Sequence, residues 1–111
     1  MINYKISKIN SLIKETISAI IAKELAEEIQ FVSINFVNTT KDLSETFAYV
    51  HFAQGDQEKQ FDVLNKKRYI IQKKFASGIN LRRTPKIIFI LDTEQDKINN
   101  IEKLLNKVSK Q

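Results

Sequence analysis

The sequence predicts an α+β fold in which helices cover a small β-sheet. Three segments place apolar residues at spacings of three and four, the period of an amphipathic α-helix. Three shorter segments are rich in β-branched and aromatic residues, which favour strands. With 111 residues and a hydrophobic fraction of 42%, the chain is expected to form one domain over residues 1–111 with one core.

The first helix is predicted over residues 6–26, and its poorly marked end is placed near Glu28. One continuous apolar stripe indicates that the helix buries a single face. The stripe consists of Ile6, Ile9, Leu12, Ile13, Ile17, Ile20, Ile21 and Leu25.

Two strands are predicted next, over residues 31–39 and 45–53. The polar residues between them favour a turn, and the short joint predicts an antiparallel hairpin. The alternation places Val32, Ile34 and Phe36 on one face of the first strand, and Ala48, Val50 and Phe52 on one face of the second.

A second helical segment is predicted over residues 57–75, after a turn at residues 54–56. Arg68 is an exception to its pattern, because it falls on the apolar side. Either its stem extends across apolar surface to reach solvent, or the helix changes direction near it. The apolar side consists of Phe61, Leu64, Ile71 and Phe75, and the opposite side carries Lys59, Lys66 and Lys73.

Gly78 is one of only two glycines in the chain. We expect it to end or bend the second helical segment, with a positive φ just past the helix end. Residues 86–92, KIIFILD, predict a buried strand, with Pro85 at its start, where proline is tolerated. A last amphipathic helix is predicted to extend to about Val108.

The residue inventory offers little for catalysis. The absence of cysteine excludes disulfides, thiolate zinc sites and cysteine nucleophiles. His51, the single histidine, has no partner visible in the sequence and is expected to be structural. Asp92, Glu94 and Asp96 are expected to favour a helix N-terminus rather than a metal. No phosphate-binding or dinucleotide-binding motif occurs. We therefore expect no enzyme, no catalytic residue, no cofactor and no metal.

No apolar run approaches the roughly 20 residues of a membrane span. The N-terminus also lacks the apolar region of a signal peptide. These two observations predict a cytoplasmic protein with no membrane partner.

The positive charge is concentrated in one block. Residues 59–86 carry nine basic and one acidic side chain, whereas the net charge of the whole chain is +5. The block also contains apolar residues of helical period, so it is a folded element and not a mobile tail. An anionic partner follows, most commonly a nucleic acid, and the alternative is a solvated lysine face. Lysine outnumbers arginine 15 to 3, which favours contact with phosphates over reading of base edges.

Known nucleic-acid modules differ in their fit to this pattern. The order of elements fits a KH domain, in which paired helices cover a sheet, but its GXXG loop does not occur. The aromatic signature of RRM sheets is missing. Strands separate the helices that a helix-turn-helix would place in succession.

Four segments resemble the ribosome-binding factor A family. Residues 39–52, TTKDLSETFAYVHF, resemble its strand–turn–strand, which typically reads V-S-x-D-L-S-x-A-x-V-Y-V-S. Residues 81–89, LRRTPKIIF, resemble the L-R-x-x-P-x-L-x-F segment that begins its last strand. Leu64–Asn65–Lys66 resembles the start of its second helix, and Ile101–Leu105 its closing apolar helix.

The resemblance implies a KH-like fold of type II, α-β-β-α-kink-α-β with a C-terminal helix and without the GXXG loop. It also implies a monomer that binds the free 30S small ribosomal subunit and its 16S rRNA. Such a protein assists late subunit maturation and 16S rRNA processing, often during growth in the cold. Neither catalysis nor a small-molecule substrate is implied.

The chain departs from the family pattern at two places. Ala26–Glu27–Glu28 replaces an Asp-Pro-Arg-like junction, which leaves the end of the first helix open. The family's Ala-x-Gly kink is matched in letters by Ala76–Ser77–Gly78, but alignment without gaps places the kink at Lys67–Arg68–Tyr69. Both positions are alternatives for the bend, and the Arg68 exception favours the earlier one.

We predict an RNA-binding face within the basic block. Alternatives are a general RNA-binding KH-like module without ribosomal specialisation, and a protein-interaction adaptor that uses the acidic first half of the chain. The predicted RNA-binding residues are Lys59, Lys66, Lys67, Arg68, Lys73, Lys74, Arg82 and Arg83.

Overall fold

A three-stranded sheet with helices on one face forms the framework of the protein. The structure is a computed structural model, and it describes residues 2–29 and 31–92, with side chains from Ile6 onward. This framework has the predicted order α-β-β-α-kink-α-β. The predicted C-terminal helix lies outside the described residues. The elements are α1 (Ile2–Glu24), β1 (Val32–Thr39), β2 (Glu45–Phe52), α2 (Gln57–Lys66), α3 (Arg68–Gly78) and β3 (Lys86–Leu91).

The strands lie in the order β1-β2-β3. β1 and β2 pair antiparallel, with Thr39 opposite Thr46, which confirms the predicted hairpin. β3 lies parallel to β2, with Lys86 opposite Glu45. A parallel pair needs a crossover connection, and α2 and α3 supply it.

The core lies between the helices and one face of the sheet. It contains residues from the first apolar stripe, from the alternating face of β2 and from the apolar side of residues 57–75, which confirms these three predictions except for Leu12 of the stripe, which is 45% exposed. Its buried members are Ile13, Ile17, Ile21, Leu25, Ile29, Ile34, Val37, Ala48, Val50, Phe52, Leu64, Ile71, Phe75, Ile87 and Phe89.

β1 contains a β-bulge that overturns part of the predicted alternation. Ile34 pairs with Val50 and Phe36 with Tyr49, so Asn35 is an extra residue without a partner in the ladder. An extra residue reverses the facing of everything after it. Phe36 is therefore 50% exposed, although it was predicted on the buried face, and Val37 is buried in its place. The ring of Phe36 packs against that of Tyr49, with centroids 5.4 Å apart.

α1 ends at Glu24, earlier than predicted, but its apolar stripe continues through the following turn. The Leu25 N–H donates to Ile21 O at 2.9 Å, and the Ile29 N–H donates to Leu25 O at 2.9 Å. Leu25 and Ile29 are both buried. Leu25 and Ile29 are four residues apart, as neighbours in the apolar stripe are, although both lie beyond Glu24, the last residue of α1.

The second helical segment breaks at Lys67, whose φ of −96° and ψ of 4° separate α2 from α3. The bend therefore lies at the earlier of the two alternatives, next to Arg68. Ala76–Ser77–Gly78 form the end of α3, where the chain is still helical.

The prediction of a positive φ at Gly78 is wrong. Gly78 is the last residue of α3, and the extended residue after it is Ile79, with φ −125° and ψ 138°. A Cβ added to Gly78 would meet no atom within 4 Å. In contrast, Gly55 has a φ of 85°, so it is the glycine whose turn requires the left-handed region.

We expect Gly78→Ala to raise the free energy of unfolding by about 0.5 kcal/mol, because alanine restricts the unfolded chain and fits the helical backbone without a clash. Urea denaturation followed by circular dichroism measures the change. Gly55→Ala is the matched control. It should lower stability, because its φ is positive and its Cβ would lie 3.0 Å from Gln60 Nε2. A loss of stability in Gly78→Ala would contradict the helical assignment.

Candidate nucleic-acid interface

Two side chains of α3 bind the backbone at the start of β3. One guanidinium nitrogen of Arg68, Nη1, donates to Ile87 O at 3.0 Å. Gln72 Nε2 donates to Pro85 O at 3.0 Å, and Gln72 Oε1 accepts the Ile87 N–H at 2.8 Å. Arg68 therefore reaches inward to β3, which explains its position on the apolar side of the sequence pattern.

These hydrogen bonds are made to backbone groups of Pro85 and Ile87 that do not pair with β2. β3 is the strand at one end of the sheet, and an edge strand leaves a row of N–H and C=O groups without strand partners. The two side chains supply partners for Pro85 and Ile87. They also fix α3 against β3, so they set which side of α3 faces outward.

Gln72→Ala should lower the free energy of unfolding by about 1–3 kcal/mol, because it leaves a half-buried N–H and C=O without their partner. Thermal or urea unfolding measures the loss. Lys73→Ala, at the next and exposed position, is the control and should change stability by less than about 0.5 kcal/mol. Equal effects of the two substitutions would show that Gln72 does not hold β3.

Three lysines of the predicted interface point to solvent and are called here the lysine ridge: Lys59 and Lys66 on α2, and Lys73 on α3. Lys66 Nζ lies 3.1 Å from Asp62 Oδ2, an exposed pair one helical turn apart. Within the described residues, Lys59 and Lys73 form no ion pair. The ridge therefore keeps positive charge available to an external anion.

Lys67 and Lys74 differ from the ridge, because both reach toward the end of α1. Lys67 Nζ lies 3.6 Å from Glu28 Oε1, and Lys74 Nζ lies 3.8 Å from Glu24 Oε1. These carboxylates neutralise part of the positive charge locally. No local pattern indicates the pairing, since more than 30 residues separate the partners along the chain.

Arg82 and Arg83 lie in the exposed part of the loop between α3 and β3. The loop is anchored on both sides of them, because Leu81 packs against the core and Pro85 is fully buried. The two guanidinium groups are thus presented from a short, fixed segment.

The hairpin turn next to this loop is held by one carboxylate. Asp42 Oδ1 accepts hydrogen bonds from the Ser44 hydroxyl at 2.7 Å, the Thr40 hydroxyl at 2.9 Å and the Ser44 N–H at 3.1 Å. These bonds, that of the Ser44 hydroxyl above all, lower the pKa of Asp42 to about 2, and the charge of Arg83 adds a smaller effect in the same direction. The bonds also enclose Leu43, which is buried at a φ of 61°.

We expect the Asp42 carboxyl to titrate near pH 2 in the folded protein, measured by the carboxyl carbon shift in NMR. Because this pKa lies below the unfolded value of about 3.9, the ionised carboxylate favours the folded state above pH 4. That contribution is lost as the pH falls from about 4 through about 2. Ser44→Ala should move the midpoint upward, and an unchanged midpoint would contradict the assigned cause.

His51 and Asp92 meet at the end of the sheet. His51 Nδ1 lies 3.3 Å from Asp92 O, and Asn35 Nδ2 donates to Asp92 Oδ2 at 3.3 Å. Among residues 2–29 and 31–92, no cluster of three or more side chains that could hold a metal occurs. Glu94 and Asp96 lie outside the described residues. In the described part of the chain, no helix is long and apolar enough to cross a membrane.

Tyr69 is a surface feature that the sequence prediction did not include. Its side chain is 71% exposed in the first turn of α3, whereas Phe36 and Phe31 are 50% and 59% exposed. It follows Lys66 by three residues and precedes Lys73 by four, a spacing that could have drawn attention to it.

Comparison with known sequences finds one family. A model of the family described as ribosome-binding factor A matches residues 5–105 of the chain. The chain is 34% identical to ribosome-binding factor A of Clostridium acetobutylicum, over 97% of this chain and 93% of that protein. It is 34% identical to the Prochlorococcus marinus protein of the same name, over 96% of this chain and 85% of that protein.

Comparison with solved structures finds the same fold. The crystal structure of ribosome-binding factor A from Thermus thermophilus superimposes with a TM-score of 0.70 at 17% identity, over 78% of this chain and 94% of that one. A homology model of the Thermus protein, fitted into the cryo-EM map of its complex with the 30S subunit, gives a TM-score of 0.61 at 17% identity. That match covers 73% of this chain and 88% of the other.

Proposed function

The chain belongs to the ribosome-binding factor A family, and on this premise we propose that it binds the free 30S ribosomal subunit and assists its late maturation, including 16S rRNA processing. The fitted complex of the Thermus protein with a 30S subunit supports this partner. The protein would act in the cytoplasm as a monomeric domain, by binding and without catalysis, cofactor or small-molecule substrate. Growth in the cold would depend on it most.

One observation carries the proposal for how the subunit is bound. The lysine ridge and the loop arginines present positive charge on the surface, and within the described residues Lys59 and Lys73 form no ion pair. Lysine and arginine at such positions neutralise phosphates and release condensed counterions, which favours binding to RNA. The contact is largely independent of base sequence, so selectivity would come from the shape of the rRNA.

The eight predicted residues divide by their contacts. We assign direct phosphate contact to the lysine ridge, Arg82 and Arg83. Lys66, Lys67 and Lys74 would contribute less than Lys59 and Lys73, because each must first leave a nearby carboxylate: Asp62, Glu28 and Glu24 respectively. Arg68 would act indirectly, since its guanidinium group is bound to Ile87 O.

Lys59→Glu/Lys73→Glu should weaken co-sedimentation with purified 30S subunits at least tenfold. The slope of log affinity against log salt concentration should become shallower by about two units, because about two phosphate contacts are lost. The matched control is Lys14→Glu/Lys23→Glu, which makes the same charge change at exposed positions of α1. The control should bind more tightly than the ridge variant, and both should keep the wild-type circular dichroism spectrum.

Equal loss in the two variants would contradict the assignment of this face. Competition with bulk RNA tests the general RNA-binding alternative, which predicts equal affinity for bulk RNA and 30S subunits. In cells that depend on this protein, only the ridge variant should accumulate unprocessed 16S rRNA precursor. Normal processing despite lost binding would contradict the maturation role.

A further inference from the structure

Tyr69 is exposed by the way α3 is held. Its neighbour Arg68 is bound to β3 and Ile71 is fully buried, so both take the inward side of the helix. Successive helical residues are rotated by about 100°, which leaves Tyr69 on the outward side. Gln72, one helical turn after Arg68, is hydrogen-bonded to the same start of β3 and therefore fixes the same rotation of α3 about its axis.

Positive charge flanks the ring of Tyr69. Lys73 lies one helical turn after it in α3, and residues at this spacing are neighbours on the helix surface. Lys66, the last residue of α2, precedes it across the bend. Tyr69 takes part in none of the described hydrophobic clusters or aromatic pairs. An exposed aromatic ring thus lies between Lys66 and Lys73 in the chain.

An unpaired nucleobase complements this arrangement. Its flat face stacks on an aromatic ring, while the phosphates on either side of it meet the lysines. Bases inside a duplex are already stacked on each other and offer no free face, so this complement is specific to single-stranded RNA. A purely apolar partner would gain nothing from the two ammonium groups and would have to desolvate them.

We propose that Tyr69 stacks on an unpaired base of the bound RNA, with Lys66 and Lys73 on the flanking phosphates. The inference rests on the proposed function, since it requires that the lysine ridge contacts RNA. It adds a preference that charge alone does not supply. The ridge by itself attracts any phosphate backbone, whereas the tyrosine selects segments whose bases are free.

The test compares two labelled probes with the full chain, by fluorescence anisotropy: a single-stranded oligoadenylate of about 12 nucleotides and a duplex RNA of the same length. Tyr69→Ala should weaken binding of the single strand about tenfold and leave binding of the duplex unchanged. Tyr69→Phe keeps the ring and should keep the affinity. The salt dependence should be unaltered in both variants, because neither removes a charge.

Phe36→Ala is the matched control, since it removes another exposed aromatic ring, which belongs to β1 and lies outside the basic block. It should bind both probes as the wild type does. Tyrosine emission gives a second measurement. RNA should quench part of the emission of the wild type, and that part should be missing in Tyr69→Phe although its affinity is kept.

Four results would overturn the proposal. If Tyr69→Ala weakens single strand and duplex equally, the ring does not stack on a base. If it weakens neither, while Lys59→Glu/Lys73→Glu weakens both, the stacking is refuted and the proposed function stands. If it weakens neither probe but reduces 30S binding, the partner of Tyr69 is a protein. If the wild type binds neither probe and the ridge variant binds 30S subunits normally, the RNA contact of the ridge fails as well.

Discussion

The hydrogen bonds from Arg68 and Gln72 to the start of β3 are the constraint on which the rest of the surface depends. The two side chains lie one turn apart on α3, so together they fix the rotation of the helix about its axis as well as its distance from the sheet. Every outward position on α3 follows from that rotation. The same bonds fix where β3 begins, and therefore where the loop that carries Arg82 and Arg83 must end.

The lysines of the basic block fall into two groups that differ in their surroundings, and the net charge of the block does not distinguish them. Lys67 and Lys74 face acidic residues at the end of α1 and help to hold that end beside α3. Partly exposed pairs at 3.6 and 3.8 Å are weak, worth less than about 1 kcal/mol each. The lysine ridge, in contrast, contributes little to packing. The positive charge that the block offers to an external anion therefore depends on which carboxylates lie near each lysine.

The sequence was sufficient for features that depend on a regular period. The stripe of α1, the alternation of β2 and the apolar side of residues 57–75 each repeat often enough to identify the buried face. The sequence left two positions open for the kink, and Arg68 favoured the earlier one that the family resemblance implies, because a charged side chain on an apolar side needs a special reason. That reason, the carbonyl of Ile87, lies 19 residues away and belongs to the tertiary structure.

Features that break a period were not predictable in the same way. A β-bulge at Asn35 leaves no mark in a strand whose residues on both sides of it are apolar, so Phe36 was assigned to the wrong face. Gly78 suggested a left-handed helix end, but glycine also occupies ordinary helical positions, and only the backbone distinguishes the two. Exposure of Tyr69 likewise depends on how α3 is rotated. The ion pairs of Lys67 and Lys74 depend on the packing of α1, which no local pattern reports.

The bulge in β1 has a consequence for the behaviour of the sheet toward other chains. A sheet of three strands has two edges, and each is a template on which a strand of a neighbouring molecule could add. At the β3 edge, Arg68 and Gln72 occupy the backbone groups of Pro85 and Ile87. At the β1 edge, the extra residue interrupts the regular spacing that an added strand would have to match. The two edges of the sheet are thus protected by different means, side-chain hydrogen bonds at β3 and an irregular backbone at β1, and both discourage pairing with a second copy of the chain.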